Sequence, residues 1–258
     1  MKRPYLRLPL ITGLIGVMAV LFISHQSILE PSSSSSGLVP AASAQSSSTS
    51  DNTQSDSRIA ASYEDLYGDL TKNPDKKSLG DSTAPLTITE YVDFQCPYCR
   101  KFNLNTLPDL LRNYVKTGTV YYRIKHFPLR SHKHALKLAI VSECAAEQGE
   151  FFRFKHFHFA RGGPKSIPEF LEVLDLENPN QFLNCLRDQR YRKKILNEKQ
   201  NGVEKDVSAT PTLFIGGEKF QGVYSFDQLK KIIEVKLKRS RQPSETNHPT
   251  TASESSNE

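Results

Sequence analysis

The residues best suited to chemistry in this chain are two cysteines three positions apart, Cys96 and Cys99, with Pro97 and Tyr98 between them. A strand-like run over 86–92 precedes the pair, and apolar residues at helical spacing follow it. The pair is therefore predicted to lie where a strand ends and a helix begins, beside unpaired backbone N–H groups and the positive end of the helix dipole. That environment favours a thiolate, which is the form of cysteine that attacks disulfides.

Two other roles for a cysteine pair of this kind are a structural zinc site and a permanent disulfide. Structural zinc needs four ligands, and the sequence has no second pair of this spacing. A permanent disulfide would close a very short loop, so chain entropy would protect it little from reduction. We therefore interpret Cys96 and Cys99 as a redox-active pair that forms a disulfide when oxidised. Cys96 is the predicted nucleophile, and Cys99 is the predicted resolving thiol and the more buried of the two. Because the electrons reside on sulfur, we expect no bound cofactor and no metal.

Composition limits how much of the chain can fold. The chain has 258 residues and a net charge of +6 that is spread along it, without a zinc-finger, phosphate-loop or RNA-binding motif, so no nucleic-acid partner is predicted. The Ser-rich stretch 27–62 is predicted to be a disordered linker, and the polar stretch 239–258 a disordered tail. The remaining residues, 63–238, are enough for one domain of ordinary size.

The N-terminal segment 1–26 has the features of a membrane anchor or a signal segment. Basic residues are followed by an apolar stretch from Leu8 to Ile23. That length is slightly long for a signal-peptide core and short for a comfortable membrane span. We favour an uncleaved anchor, and a cleaved signal stays open as the alternative. In both cases the basic end is expected to remain in the cytoplasm while the rest of the chain lies outside it, in the periplasm or an equivalent compartment.

The pattern of the folded region is βαβ, then a helical block over about 130–205, then ββα. Strands are predicted at 86–92, 120–125, 212–215 and 219–221, and a final helix begins with a capping-box pattern at Ser225. Further helices are predicted from the cysteine pair to Lys116, over 135–146, and from about Ser166 and Asn178. This order predicts an α/β fold with a mixed sheet, in which the helical block is an insertion between the two halves.

The chain resembles the thioredoxin superfamily, and within it the DsbA-like extracytoplasmic disulfide oxidoreductases. The Cys-Pro-Tyr-Cys run follows the first predicted strand, and Thr210-Pro211 precedes a strand that ends in a Gly-Gly turn, as the cis-proline loop of that family does. The long, helical stretch between these two motifs is also typical of DsbA-like proteins. The resemblance covers roughly residues 79–238 and implies a thioredoxin-like fold with a helical insertion.

The resemblance also implies roles for the residues around the cysteines. Pro97 and Tyr98 would tune the redox balance of the pair and meet the substrate. Pro211 would be cis and, with Thr210, would bind an extended substrate segment; an ordinary trans proline that opens an edge strand is the alternative. Glu90 occupies the position of a buried acidic residue in this family and would accept the proton of Cys99, unless its side chain points to solvent.

The other two cysteines, Cys144 and Cys185, fall on two different predicted helices of the insertion. In an oxidising compartment an even number of cysteines suggests pairing, so we predict a structural disulfide, with two buried free thiols as the alternative.

The most direct hypothesis is a DsbA-like thiol:disulfide oxidoreductase that donates disulfides to exported proteins. Its predicted partners are reduced or misoxidised exported proteins and a membrane redox partner that reoxidises the pair, coupled to quinone in the systems that it resembles. A reductase or isomerase of the same fold, and a redox-inactive peptide-binding module, remain as alternatives.

Overall fold

The computed structural model describes residues 48–70, 75–163 and 166–241, and their side chains from Arg58 to Ser240. The predicted anchor at 1–26, the first part of the linker and the tail beyond 241 lie outside the described residues.

A five-stranded mixed sheet organises the described part of the chain. Its strands are β1 (Ser78–Leu79), β2 (Leu86–Val92), β3 (Val120–His126), β4 (Thr212–Ile215) and β5 (Glu218–Gln221), in the spatial order β1-β3-β2-β4-β5. The central pair β2 and β3 is parallel, whereas the other neighbouring pairs are antiparallel. The predicted α/β fold with a mixed sheet is confirmed.

Helices cover this sheet and fill the connections between its strands. In chain order they are α1 (Ser48–Tyr67), α2 (Pro97–Asn105), α3 (Leu107–Leu110) with a π-helical turn (Leu111–Val115), α4 (Ala135–Ala146), α5 (Phe151–Arg161), α6 (Ile167–Val173), α7 (Pro179–Arg187), α8 (Arg192–Val203) and α9 (Phe226–Arg241). The helices α4 to α8 lie between β3 and β4, so the predicted insertion between the two halves is confirmed.

The burial of β2 explains how the sheet orients the residues that precede the cysteine pair. Leu86, Ile88, Glu90 and Val92 are all buried, and they alternate along the strand. Side chains at alternate positions point to the same face of a sheet. Glu90 therefore faces the same buried layer as three apolar residues.

The helical stretch that follows the cysteines reaches Val115, close to the predicted end, but it is interrupted near Pro108. It was expected to continue to Lys116 with a kink at Pro108, but α2 ends at Asn105, and Thr106 separates it from α3. Pro108 has no N–H to donate to the carbonyl four residues earlier, and its ring clashes with that carbonyl, so a break near this position follows from Pro108. The Thr106 hydroxyl donates to the Tyr224 carbonyl at 2.8 Å, which ties the break to the segment before α9.

Part of the predicted linker, 27–62, is helical. The helix α1 covers Ser48–Tyr67, and Tyr63, Leu66 and Tyr67 near its end are buried in the core. The Tyr67 ring stacks on Phe152 with centroids 5.7 Å apart. Apolar residues at helical spacing thus attach this polar helix to the domain, and the ordered domain begins before the predicted boundary at 63. At the other end, α9 continues three residues into the predicted tail.

Within the described ranges, no helix is both long enough and apolar enough to span a bilayer.

Candidate active site

The two cysteines lie at the start of α2. Cys96 is its N-cap residue, with an extended backbone, and Pro97 is the first helical residue, where the missing N–H leaves no intrahelical hydrogen bond unmade. Cys96 is 4% exposed and Cys99 is fully buried, whereas Tyr98 between them is 63% exposed. Cys96 is therefore the sulfur nearer the surface, and both cysteines are free thiols in this structure.

The surroundings shift the pKa values of the two thiols in opposite directions. The pKa of Cys96 is lowered to about 5, chiefly because the Cys99 thiol hydrogen-bonds its sulfur, with help from the N–H groups of Tyr98 and Cys99. Burial opposes this shift. The pKa of Cys99 is raised well above its usual value, mainly because the group is fully removed from water. At neutral pH these shifts favour a thiolate at Cys96 and a protonated thiol at Cys99.

The loop before β4 closes over Cys96. The Thr210–Pro211 peptide bond is cis, and the Thr210 carbonyl oxygen lies 3.2 Å from the Cys96 sulfur. The Pro211 carbonyl accepts a hydrogen bond from the N–H of Gly222 at 2.8 Å. The structure thus brings Thr210 next to Cys96, 114 residues away in sequence.

Glu90 lies in a fully buried polar group near Cys99. Asn103 donates to Glu90 Oε1 at 3.2 Å, and the Tyr122 hydroxyl donates to Glu90 Oε2. Asn103 also donates to the Cys99 carbonyl at 2.9 Å, which links the carboxylate to the helix of the cysteines. The Lys155 ammonium lies 3.6 Å from Glu90 Oε2, and neither residue is exposed. The alternative in which Glu90 points to solvent is thus wrong.

The sequence interpretation missed Lys155, Tyr122 and Asn103. Burial, the dominant cause, lowers the pKa of Lys155. No sequence signal identified this lysine, because it belongs to α5, a helix rich in phenylalanine and histidine that was not predicted. Asn103 carries a weak signal, since it lies four residues after Cys99 and so on the same face of α2.

Asp93 was also missed, although it directly follows β2. This fully buried carboxylate accepts hydrogen bonds from the N–H groups of Gln95 at 2.7 Å and Leu129 at 2.8 Å, and pairs with His132 Nδ1 at 2.8 Å. Its own carbonyl accepts from the Cys96 N–H at 3.1 Å. Asp93 therefore fixes the turn that leads from the strand to the nucleophile.

The insertion contains a disulfide between Cys144 on α4 and Cys185 on α7, with an S–S distance of 2.01 Å. Both cysteines are fully buried. This disulfide joins two helices of the insertion and takes no part in the site at Cys96.

One group of side chains has the composition of a metal site. Ligand atoms of His126, Glu143 and Glu198 lie within 4.8 Å of one another. The Lys77 ammonium, however, lies 2.7 Å from Glu143 and 2.6 Å from Glu198. A lysine thus already supplies the positive charge that these carboxylates require, and we assign no metal to the group.

The strand order, the helical insertion and a cysteine pair beside a cis proline define a DsbA-like member of the thioredoxin superfamily. A family model described as Thioredoxin matches residues 72–235. The chain belongs to this thioredoxin family. The resemblance stated from the sequence is thus confirmed, and the predicted enzyme class, thiol:disulfide oxidoreductase, agrees with it.

Comparisons with individual proteins give the same fold. The structure of alpha-DsbA1 from Wolbachia pipientis is 24% identical, with a TM-score of 0.55, and the match covers 68% of this chain and 97% of that one. A probable disulfide bond formation protein D from Bacillus anthracis is 24% identical over 174 residues, which is 64% of this chain and 79% of that protein.

Other relatives have a different name. A protein named Na(+)/H(+) antiporter NhaA 3 from Salinispora tropica is 32% identical over 166 residues, which is 62% of this chain but 25% of the antiporter. The chain therefore spans about a quarter of the length of such relatives, and the match does not transfer ion transport to it.

Proposed function

We propose that this protein is a thiol:disulfide oxidoreductase that donates the Cys96–Cys99 disulfide to reduced protein clients. The observation that carries the proposal is the pair of opposite pKa shifts at the start of α2. A stabilised Cys96 thiolate stabilises the reduced form of the enzyme. An enzyme whose reduced form is stabilised is a strong oxidant, because accepting two electrons is favourable for it.

The reaction follows from the positions of the two sulfurs. In the oxidised enzyme a client thiolate attacks Cys96 Sγ, the S–S bond breaks, and Cys99 leaves with its electron pair. A second client thiolate then attacks the client sulfur of the mixed disulfide and releases Cys96 as a thiolate. The client has lost two electrons and gained a disulfide, and the enzyme has become a dithiol. Cys96 receives the attack because it is the sulfur nearer the surface.

Glu90 is proposed to act on the proton of Cys99. The leaving Cys99 sulfur is buried, and its raised pKa means that it must take up a proton. A carboxyl group behind the pair can supply that proton, and in the reverse direction the carboxylate accepts it. Asn103 supports this role, since it contacts both Glu90 and the Cys99 carbonyl.

Client binding is proposed for Pro97, Tyr98, Thr210 and Pro211. Tyr98 is exposed beside the nucleophile, and Thr210 contacts its sulfur through the carbonyl. Extended peptide segments bind the open edge of such loops through backbone hydrogen bonds.

The partners and location follow from the same proposal. Clients would be reduced or misoxidised exported proteins, in the periplasm or an equivalent compartment, and a membrane redox partner would reoxidise the dithiol. The N-terminal segment would attach the protein to the membrane with its N-terminus in the cytoplasm. The support is the apolar run after basic residues near the N-terminus, together with the similarity to a protein named for disulfide bond formation.

The test is the equilibrium of the purified protein with a glutathione buffer. We expect a reduction potential above about −180 mV, toward the oxidising end of the superfamily. Cys96→Ser should abolish oxidation of a reduced client, whereas Cys99→Ser should accumulate mixed disulfides through Cys96. A potential near about −270 mV would assign a reductase instead. Full activity of Cys96→Ser would assign a binding module that does not exchange disulfides.

A further inference from the structure

A cleft opens beside Cys96 on the side of the helical insertion. It has a volume of about 570 Å³ and is lined by the turn before α2, by α2 itself and by the insertion. Its lining residues include Cys96 and Pro97 but, among the described residues, neither Thr210 nor Pro211. We call it the insertion cleft. It is distinct from the cis-proline loop, yet it reaches the same sulfur.

The wall of the insertion cleft is largely apolar. Its apolar members come from four separate parts of the chain and are Phe94, Leu138, Val141, Phe159 and Phe170. Phe94 and Phe159 stack with their centroids 5.6 Å apart, so this part of the wall is held by packing within the protein. A pocket of this kind favours an apolar side chain, because burial removes its surface from water.

The charged side chains that line the cleft are basic. Arg100 and Lys137 line it, and no Asp or Glu does so among the residues that the structure describes. The Arg100 guanidinium donates to the carbonyls of Phe159 at 2.7 Å and Ala160 at 3.3 Å, which hold it in place without neutralising its charge. Lys137 is exposed on α4. The nearby carboxylate of Asp93 is buried and already accepts three hydrogen bonds or ion-pair contacts. The cleft is thus complementary to an acidic ligand.

We propose that the insertion cleft is a client subsite that selects segments with an aromatic side chain and a carboxylate next to the reactive cysteine. The proposal rests on the proposed function and adds the class of client. The aromatic ring would occupy the apolar wall, and the carboxylate would face Lys137 and Arg100. A client would then contact the protein on two sides of Cys96, at the cis-proline loop and in the cleft.

The experiment measures how fast the oxidised full-length protein oxidises four reduced dithiol peptides. The four peptides differ only at the two positions that flank the first cysteine. One of these positions carries Phe or Ala, and the other carries Glu or Lys. We expect the Phe peptides to react about tenfold faster than the Ala peptides. Lys137→Glu should lower the ratio of the Glu-peptide rate to the Lys-peptide rate about fivefold. This comparison between proteins cancels the intrinsic reactivity of each peptide.

Lys230→Glu is the matched control, because it makes the same charge reversal at an exposed residue of α9 that does not line the insertion cleft. It should leave all four rates in the wild-type proportions. Equal rates for Phe and Ala peptides, or an unchanged charge ratio in Lys137→Glu, would overturn the subsite. Tight binding to phosphatidylglycerol vesicles through Lys137, without peptide selectivity, would overturn it too and assign the basic surface to lipid.

Oxidation of dithiothreitol separates failure of the subsite from failure of the proposed function. This small dithiol needs no cleft, so wild type and Lys230→Glu should oxidise it equally. If the protein oxidises it and also has the reduction potential expected above, while the peptides are not distinguished, only the subsite is wrong. If the oxidised protein cannot oxidise it, the proposed function is wrong as well.

Discussion

Two cysteines three residues apart have pKa values that are shifted in opposite directions in this protein. Cys96 caps a helix start near the surface, and Cys99 lies one turn further, where it is fully buried. The same hydrogen bond lowers the pKa of the first and raises that of the second. Their different burial and the hydrogen bond between them therefore distinguish an attacking group from a resolving group.

The first prediction concerns the ionisation of Cys96. In the reduced protein its absorbance at 240 nm should titrate with a midpoint near pH 5, because its pKa is lowered to about 5 from 9.0. A pKa that is lower in the folded than in the unfolded state adds stability that is complete above pH 9.0 and is lost as pH falls through 5. The reduced protein should therefore gain stability over the oxidised one between these two values. A Cys96→Ser variant should lack the transition, and a midpoint near 9 in wild type would contradict the prediction.

The second prediction concerns Glu90. Glu90→Gln should slow the steps that protonate or deprotonate Cys99 by up to about 100-fold and flatten their pH dependence, because the nearby acid is lost. It should also destabilise the fold by about 3–5 kcal/mol, since Lys155 would keep a buried charge without a partner. Stopped-flow kinetics at a series of pH values measure the first effect, and urea unfolding measures the second.

The exposed residue Glu172 supplies the control for Glu90. Glu172→Gln should change neither measurement. The double variant Glu90→Gln/Lys155→Met should recover stability but not the pH dependence. Recovery of both would mean that Glu90 is structural only.

At the residue scale the sequence identified what local spacing encodes. Cys96, Cys99 and the Thr210-Pro211 pair were found from their positions relative to strands. Lys155 and Tyr122 were not, because only the folding of α5 and β3 against β2 brings them to Glu90. A lysine is almost never fully buried without a partner. The partner of Lys155 is Glu90, which is 65 residues away in sequence.

At the scale of elements, the strands were predicted better than the helices. The strand β2 has the predicted bounds, because its apolar residues alternate. The helices α5 and α8 were missed for opposite reasons. In α5 closely spaced aromatic residues hide the helical period, and in α8 only Ile195 and Gly202 are buried, so no apolar stripe marks it.

The cap of α9 gives the third prediction. Ser225 Oγ accepts from the Gln228 N–H at 3.3 Å, and Gln228 Oε1 accepts from the Ser225 N–H at 2.9 Å, which is the predicted capping box. Ser225→Ala should lower the free energy of unfolding by about 1 kcal/mol, because N–H groups at the helix start lose a partner. Urea unfolding measures it. Lys230→Ala, on the exposed face of the same helix, should change stability little; an equal loss there would contradict the role of the cap.

At the scale of the whole molecule, a disulfide and the core hold the insertion on the sheet. Cys144 and Cys185 are 41 residues apart, and their disulfide joins α4 to α7. Removing it with Cys144→Ala/Cys185→Ala should lower the free energy of unfolding by about 2–4 kcal/mol, because the unfolded chain regains the freedom of that loop.

Client oxidation is the second measurement on this variant. At temperatures where it remains folded, it should oxidise clients at the wild-type rate, since the exchange depends on Cys96 and Cys99. Loss of oxidation from the folded variant would show that this disulfide takes part in the reaction.

The boundaries of the domain were the least predictable feature at this scale. Serine and charged residues suggested that the chain before Tyr63 would be disordered. Three residues near the end of α1, Tyr63, Leu66 and Tyr67, are buried in the core. A prediction of disorder from composition averages over many residues, whereas the packing of α1 on the domain depends on individual apolar side chains.

The contact between Cys96 and the Thr210 carbonyl also has a consequence for biogenesis. All four cysteines of the chain, the last being Cys185, precede Thr210. A polypeptide made or threaded from its N-terminus therefore presents every thiol before the loop that covers the nucleophile has emerged. Until then, Cys96 lacks that neighbour and is open to pairing with Cys144 or Cys185, so mispaired nascent chains should arise during this interval and disappear once the C-terminal half has been completed.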